Sequence, residues 1–427
     1  MTALLVTIFV LAYFAIALEE PLHINKSASA LVGAGVLWTI FALFSANHEL
    51  VDEQLAESLV ETAQIAFFLI GAMTIVEVVD THDGFEVITS RLKAPSLPRL
   101  ALMIALVTFL LSAILDNLTT TIVMVSLIRR LIDAREDRLM IAGIVIIAAN
   151  AGGAWSPIGD VTTTMLWIKG NVTTGAITSR LIVPSLVNLL VPLAAVMWMM
   201  RGKLATAPVA SAQAEQSVTT LFERNLMFTL GLAALLSVPI FKSITHLPPF
   251  MGMLFGLGVL WTVGDLVHRH SDEPASRRVT IAEALARIDM AAIVFFIGIL
   301  LAVATLQHAG VLAALAQWLD ATIGRLDVIV AIIGLVSAVV DNVPMVAAAM
   351  GMYDMGTHPP DSFLWEFLAY CAGTGGSILI IGSAAGVAAM GIEKIDFLWY
   401  LRRFSLLALV GYLAGAAAYI LQNEVWV

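Results

Sequence analysis

Two aspartates stand where an apolar chain has least use for them. The hexapeptide Ser112-Ala113-Ile114-Leu115-Asp116-Asn117 returns 225 positions later as Ser337-Ala338-Val339-Val340-Asp341-Asn342, each carboxylate centred in an otherwise apolar stretch. A charge in the middle of a hydrophobic span costs roughly 3 kcal/mol on insertion scales. Its recurrence at a matched position therefore points to one intramembrane site built from a duplicated unit. A second pair of landmarks follows: Gly152-Gly153 precedes Gly159 and Asp160, and Gly375-Gly376 precedes Gly382 and Ser383. The glycines, with Pro157, favour irregular backbone, so Asn150 to Asp160 and Gly373 to Ser377 read as broken helices whose free carbonyls and half-helix ends can hold ions. Carboxylate, amide, hydroxyl and carbonyl oxygens suit a small hard cation. The tip ligands are then Asp116, Asn117, Asp341 and Asn342, with Asp160, Thr162, Thr163, Ser337, Thr374, Ser377 and Ser383 completing or supporting the shell. Burial and like-charged neighbours make an empty set of carboxylates hold protons, so ion and proton compete for one coupled group.

Several of these residues admit a structural role as well. Asp116 and Asp341 could be hydrogen-bonding groups at hairpin ends. Asp160 could cap a half-helix starting near Val161, and its matching place is taken by Ser383, which is not acidic. Thr162 to Thr164 could bond back within a helix. Asn150 stands just before the first break, where it could bridge helices. Glu61 and Asp289, near the starts of two spans, are either points of proton uptake or solvated helix ends.

The elements that must carry these residues follow from composition. With 60% hydrophobic and 13% charged residues in 427, and a mean hydropathy of +0.94, the chain reads as an all-α polytopic membrane protein. A net charge of −10 gives no ground for a nucleic-acid partner, and the single cysteine, Cys371, excludes an internal disulfide framework. The apolar run from Met1 has neither a basic n-region nor a cleavage site and reads as a first span, not a removed leader. Spans are expected near 2–18, 28–45, 59–79, 139–168, 180–201, 225–240, 249–267, 289–308, 363–392 and 400–421. Segments 100–128 and 328–353, which hold the Asp-Asn pairs, are left over.

Sidedness resolves them. Arg91, Lys93 and Arg99 precede the first segment, and Arg129, Arg130, Arg135 and Arg138 follow it, so both its ends are expected on the cytoplasmic, basic side. It is a re-entrant hairpin. Acidic flanks (Asp320 and Asp327, then Asp354, Asp361 and Glu366) place the second hairpin's ends outside. Threaded this way, all but four of the 22 Lys and Arg fall inside, the exceptions being Lys169, Arg180, Lys242 and Arg325. Both termini are outside. Residues 1–201 form a first repeat of five spans and a hairpin, 202–223 a cytoplasmic linker, and 224–427 a second repeat of inverted topology; 268–287 is a basic cytoplasmic loop. No Lys or Arg falls in the motifs of the site.

The tip Ser-Ala-Ile-Leu-Asp-Asn-Leu-Thr-Thr-Thr from Ser112, the run Gly-Gly-Ala-Trp-Ser-Pro-Ile-Gly-Asp-Val-Thr-Thr-Thr-Met-Leu-Trp from Gly152, and Gly-Thr-Gly-Gly-Ser-Ile-Leu-Ile-Ile-Gly-Ser from Gly373 resemble the NhaD-type sodium/proton antiporters of the ion transporter superfamily. The likeness runs over nearly the whole chain. It implies a scaffold and a mobile transport domain, a homodimer in a bacterial inner membrane, and exchange of cytoplasmic Na+ or Li+ for external protons without a cofactor. An anion or arsenical permease of the same superfamily is the alternative, disfavoured by three acids and no basic residue at the site. An intramembrane aspartyl protease is disfavoured too, because neither aspartate lies in a Gly-x-Gly-Asp context.

Overall fold

The computed structural model describes residues 1–90, 92, 94, 96–204, 220–268 and 281–426. Arg91, Lys93, most of the 202–223 linker, and Arg269, Arg277 and Arg278 of the basic loop lie outside the described residues. All regular elements described are helices: α1 (Thr2–Ala17), α2 (Glu19–Leu22), α3 (Lys26–Phe44), α4 (His48–Thr81), α5 (Glu86–Thr89), α6 (Leu97–Ser112), α7 (Asn117–Leu131), α8 (Arg135–Ala154), α9 (Val161–Lys169) and α10 (Thr174–Met199) in the first half. The second half contains α11 (Leu221–Thr245), α12 (Pro249–His268), α13 (Ile281–Arg287), α14 (Met290–His308), α15 (Val311–Ile323), α16 (Leu326–Val336), α17 (Asn342–Met352), α18 (Phe363–Gly375), α19 (Ala384–Glu393), α20 (Phe397–Arg403) and α21 (Ser405–Trp426). Eight are long and apolar enough to cross a bilayer, at ~1.5 Å per residue against ~30 Å of hydrocarbon.

The leftover segments are hairpins. Helices α6 and α7 pack on each other. Leu97 N–H, at the start of α6, donates to Lys203 O at 3.2 Å, and Lys203 Nζ pairs with Asp137 at 2.6 Å, just past the end of α7. Both ends of this hairpin thus sit at one end of the molecule and the Asp116-Asn117 turn lies deep inside. Helices α16 and α17 also pack together, and Tyr353, after α17, donates to Asp320, before α16, at 3.3 Å. Burial and then the Asp320 carboxylate push the Tyr353 phenol up to about 12, so it remains a donor.

The helices fall into two groups. One holds α1, α3, α4 and α11 to α14, with α3 on α14 and α4 on α12; the other holds both hairpins, both interrupted helices, α10 and α21. Corresponding pairs recur in the two halves: α1 on α3 and α11 on α12, α6 on α8 and α16 on α18, α7 on α19 and α17 on α9. Ion pairs collect at two ends. Arg138 and Arg129 with Glu393, Arg224 with Glu86 and Arg287 with Glu77 lie at the hairpin-one end; Lys169 with Glu61, Arg180 with Glu366 and Arg325 with Asp327 lie at the other.

The first break is narrower than its sequence suggests, and the second is displaced toward the C-terminus and longer. Asn150 to Ala154 stay helical and the first interruption covers 155–160; Gly373 to Gly375 close α18 and the second covers 376–383. The glycines serve another purpose. A Cβ on Gly152 would collide with the Phe109 carbonyl of hairpin one, and one on Gly375 with the Gly334 carbonyl of hairpin two. They are helical glycines that let a hairpin backbone lie against an interrupted helix. Further differences are the amphipathic α15, the short α13 and α20, and α4 starting at His48 instead of near 59. Apolar-run length does not register short or amphipathic helices, or a helix end whose residues are polar.

Candidate functional site

Four helix N-termini meet at the centre, each capped by its own side chain. Asp116 caps α7, accepting from Thr119 N–H at 2.7 Å and from Thr119 Oγ1 at 2.8 Å. Asp341 caps α17 through Val343 N–H at 3.4 Å. Asp160 caps α9 through Thr162 N–H and Oγ1, both 2.9 Å, and Ser383 caps α19 through Gly386 N–H at 3.2 Å. Helix N-termini attract negative charge, which makes aspartate an apt cap. Here the four caps also line one cavity.

Amide side chains join the four. Asn117 Nδ2 donates to Asn150 Oδ1 at 3.0 Å and to Asp160 Oδ2 at 2.8 Å. Asn342 Nδ2 approaches the same Asp160 oxygen at 3.5 Å. Asn150 Nδ2 donates to Ser377 Oγ at 2.8 Å and Ser383 Oγ at 2.9 Å. The chain of bonds runs from hairpin one through both interrupted helices, and through Asp160 to hairpin two. Asn117, Asn150, Asp160, Asn342, Ser377 and Ser383 are all buried, which makes each bond costly to leave unmade.

The other expected residues divide. A cavity of about 270 Å³ is lined by Asp116, Asn117, Asp160, Asp341, Asn342 and Ser383, with Asp289 of α14; Asp289 also caps that helix through Ala292 N–H at 2.9 Å. Thr162 sits behind Asp160. The hydroxyls of Thr163, Ser337 and Thr374 donate to the carbonyls of Asp160, Ala372 and Tyr370 at 2.9, 3.2 and 2.7 Å. Glu61 is elsewhere, paired with Lys169 at 2.6 Å beside a separate cavity of about 70 Å³ that also holds Glu57, Ser58, Thr62 and His308. Three residues went unassigned in the sequence. Ser112 donates to Ala149 O at 2.6 Å, the counterpart of Ser337 on Ala372, and the hexapeptide repeat itself signals it. Thr119 holds both oxygens of Asp116. Lys26, at the start of α3, lines the main cavity, which corrects the expectation of a site without a basic residue. Nothing local marks Lys26, because it lies 90 positions from the nearest motif aspartate and reaches the cavity only through packing.

Interrupted helices and helical hairpins that bring charged side chains to one cavity within an apolar helical body define a membrane transporter, not an enzyme. A family model described as a citrate transporter, CitMHS, matches residues 1–373. Sodium/proton antiporter 1 of Arabidopsis thaliana is 47% identical over 97% of this chain and 71% of its own, and sodium/proton antiporter 2 of the same plant 46% over 97% and 98%. The Na(+)/H(+) antiporter NhaD of Vibrio cholerae is 30% identical over 98% of this chain and 91% of its own. The YdaH transporter of Alcanivorax borkumensis shares the fold, with a TM-score of 0.60 over 100% of this chain and 98% of that one at 12% identity. The chain belongs to the CitMHS transporter family and, within it, to the NhaD-type sodium/proton antiporters.

Proposed function

We propose that this protein exchanges cytoplasmic Na+, and Li+ as a close mimic, for external H+ at the carboxylates of its two hairpin tips. The observation that carries this is the shared cavity of Asp116, Asp160 and Asp341 with Asn117, Asn342 and Ser383. An uncompensated carboxylate away from water is too costly to persist, so each binds a cation or a proton. Ion and proton then exclude one another. Asp160 already accepts from Thr162 N–H and Oγ1 and from Asn117 and Asn342, which fills a carboxylate's four acceptor positions. Asp116 and Asp341 keep acceptor capacity for the ion.

Lys26 and Asp289 stand at the ends of α3 and α14 that the basic-residue rule puts inside, so the cavity faces the cytoplasm with both chain termini outside. The hairpins and interrupted helices form the moving body, the remaining helices a scaffold suited to a homodimer, in a bacterial inner membrane; Na+ and H+ are cargo, and the scheme needs no resident cofactor. Proteoliposomes with an imposed pH gradient test the reading. Addition of Na+ or Li+ should dissipate the gradient, citrate or succinate should not, and Asp116→Asn or Asp341→Asn should lower the rate at least ~100-fold in folded protein. Near wild-type rates in both variants would make the carboxylates structural.

A further inference from the structure

The two tip aspartates, equivalent in sequence, sit in unlike surroundings. Helix α7, which Asp116 caps, packs on α6, α8 and α19, and Phe68, Met253 and Leu235 add apolar lining to the cavity. Helix α17, which Asp341 caps, packs instead on α14, which packs on α3, and the cavity is lined there by Lys26 of α3 and Phe295 of α14. A lysine at the first turn of a membrane helix ordinarily extends to the headgroups. This one turns inward: its Nζ lies 4.8 Å from the centroid of Phe295, a ring only 1% exposed. Through the packing of α17 on α14 and of α14 on α3, Lys26 comes within electrostatic reach of Asp341. It is also the sole basic side chain lining the cavity among those residues.

We propose that Lys26 is the built-in counter-cation of Asp341, leaving Asp116, the other tip carboxylate with open acceptor positions, to carry the exchangeable charge. The proposal rests on the cation-exchange reading above and specifies the charge of its site. The charged and titratable groups near Lys26 are Tyr13 of α1, Glu19 of α2, which accepts the Lys26 backbone N–H at 3.1 Å, Asp289 of α14, Asp341 at the tip, and Asp116 and Asp160 across the cavity. Phe295 and the first turn of α3 hold the ammonium without sequestering it in a direct bond to either carboxylate. A tethered cation of this kind offsets one negative charge in the empty pocket and repels a second transported ion. It thereby makes one tip carboxylate the exchanging one.

Charge deletion tests this. Lys26→Met makes the pocket more negative by one, so both Na+ and H+ should bind more tightly: roughly a tenfold fall in the Na+ half-saturation at alkaline pH, with the exchange profile displaced to higher pH. Lys26→Arg should behave as wild type. Asp341→Asn alone leaves the pocket one charge too positive and should lose Na+ binding measured by calorimetry on purified protein. Lys26→Met with Asp341→Asn restores the balance and should recover Na+ binding to within about tenfold of wild type. If Lys26→Met matches wild type and the double variant binds as poorly as Asp341→Asn, Lys26 is a solvated helix-start charge and the proposal is wrong. Should Lys26→Met fail to give folded protein, Lys26→Gln replaces it in both arms with the same expected outcomes. Wild-type vesicles without any Na+-driven proton flux would instead sink the antiport reading itself.

Discussion

Asp160 is where an observed cap and the proposed ligand role meet. One of its oxygens holds the first turn of α9 and the other takes amide protons from both hairpin tips. As an N-cap alone it would tolerate asparagine, since Asp and Asn rank nearly equally there. The second oxygen changes that expectation: Asp160→Asn would turn an NH2 toward Asn117 and Asn342, donors facing donors. We expect folded protein destabilised by ~1–3 kcal/mol, with a Na+ half-saturation raised at least ~10-fold. Asp160→Ala should lose the cap as well, a further ~1 kcal/mol. Thermal melting in detergent and the Na+ dependence of exchange read the two effects separately, and near-normal values for the asparagine variant would reduce Asp160 to a cap.

Hairpins lie flush on interrupted helices because glycine removes the side chain at each crossing. Gly159 meets the Ser112 carbonyl, and Gly382 meets the Ala338 carbonyl with a Cβ distance of 2.5 Å. Helices α10 and α21 use the same device with proline. Pro184 and Pro192 free the carbonyls of Arg180 and Asn188; Gln422 donates to the first at 3.1 Å, and the second faces Gly411, where a Cβ would lie 2.5 Å away. Gly382→Ala should therefore destabilise by ~1–3 kcal/mol through overpacking against backbone that cannot yield. Gly391→Ala, in α19 with open space around it, should stabilise by ~0.5–1 kcal/mol through helix propensity. Comparable melting temperatures for the two variants would show that the hairpin backbone moves aside freely.

Across the whole molecule, two cavities have different linings. The larger reaches the hairpin tips from the Lys26 and Asp289 end. The smaller, on the Lys169 end, is bordered by the 2.6 Å Lys169–Glu61 pair joining α9 to α4 and by the Ser58–His308 contact at 3.1 Å. Sidedness is directly measurable in a Cys371→Ala background, since Cys371 is buried. Ala94→Cys and Ala134→Cys, at the two ends of hairpin one, should both label from the cytoplasmic face, and Thr322→Cys and His358→Cys, around hairpin two, from the outside. Opposite labelling of residues 94 and 134 would turn the hairpin into an ordinary span and dissolve the site.

Hydropathy, a repeated hexapeptide and a repeated glycine spacing carried the membrane class and the two hairpin turns at which Asp116, Asn117, Asp341 and Asn342 stand. These are local signals: an acid in an apolar run is costly wherever the run goes, and a duplicated motif marks its own counterpart. Direction was not local. Ser337 and Thr374 differ from Ser383 in where the hydroxyl points, and that depends on which carbonyl or helix end lies within reach. The glycines of the double-Gly motifs read as helix breakers because flexibility is their local property, whereas the tertiary fold employs them as contact points. Asn150 acquires its role only when α8 meets α19 and the first hairpin. Lys26 lines the cavity of Asp341 only because α3 packs on α14, which leaves the charge of the pocket as a property of helix packing that no window of sequence contains.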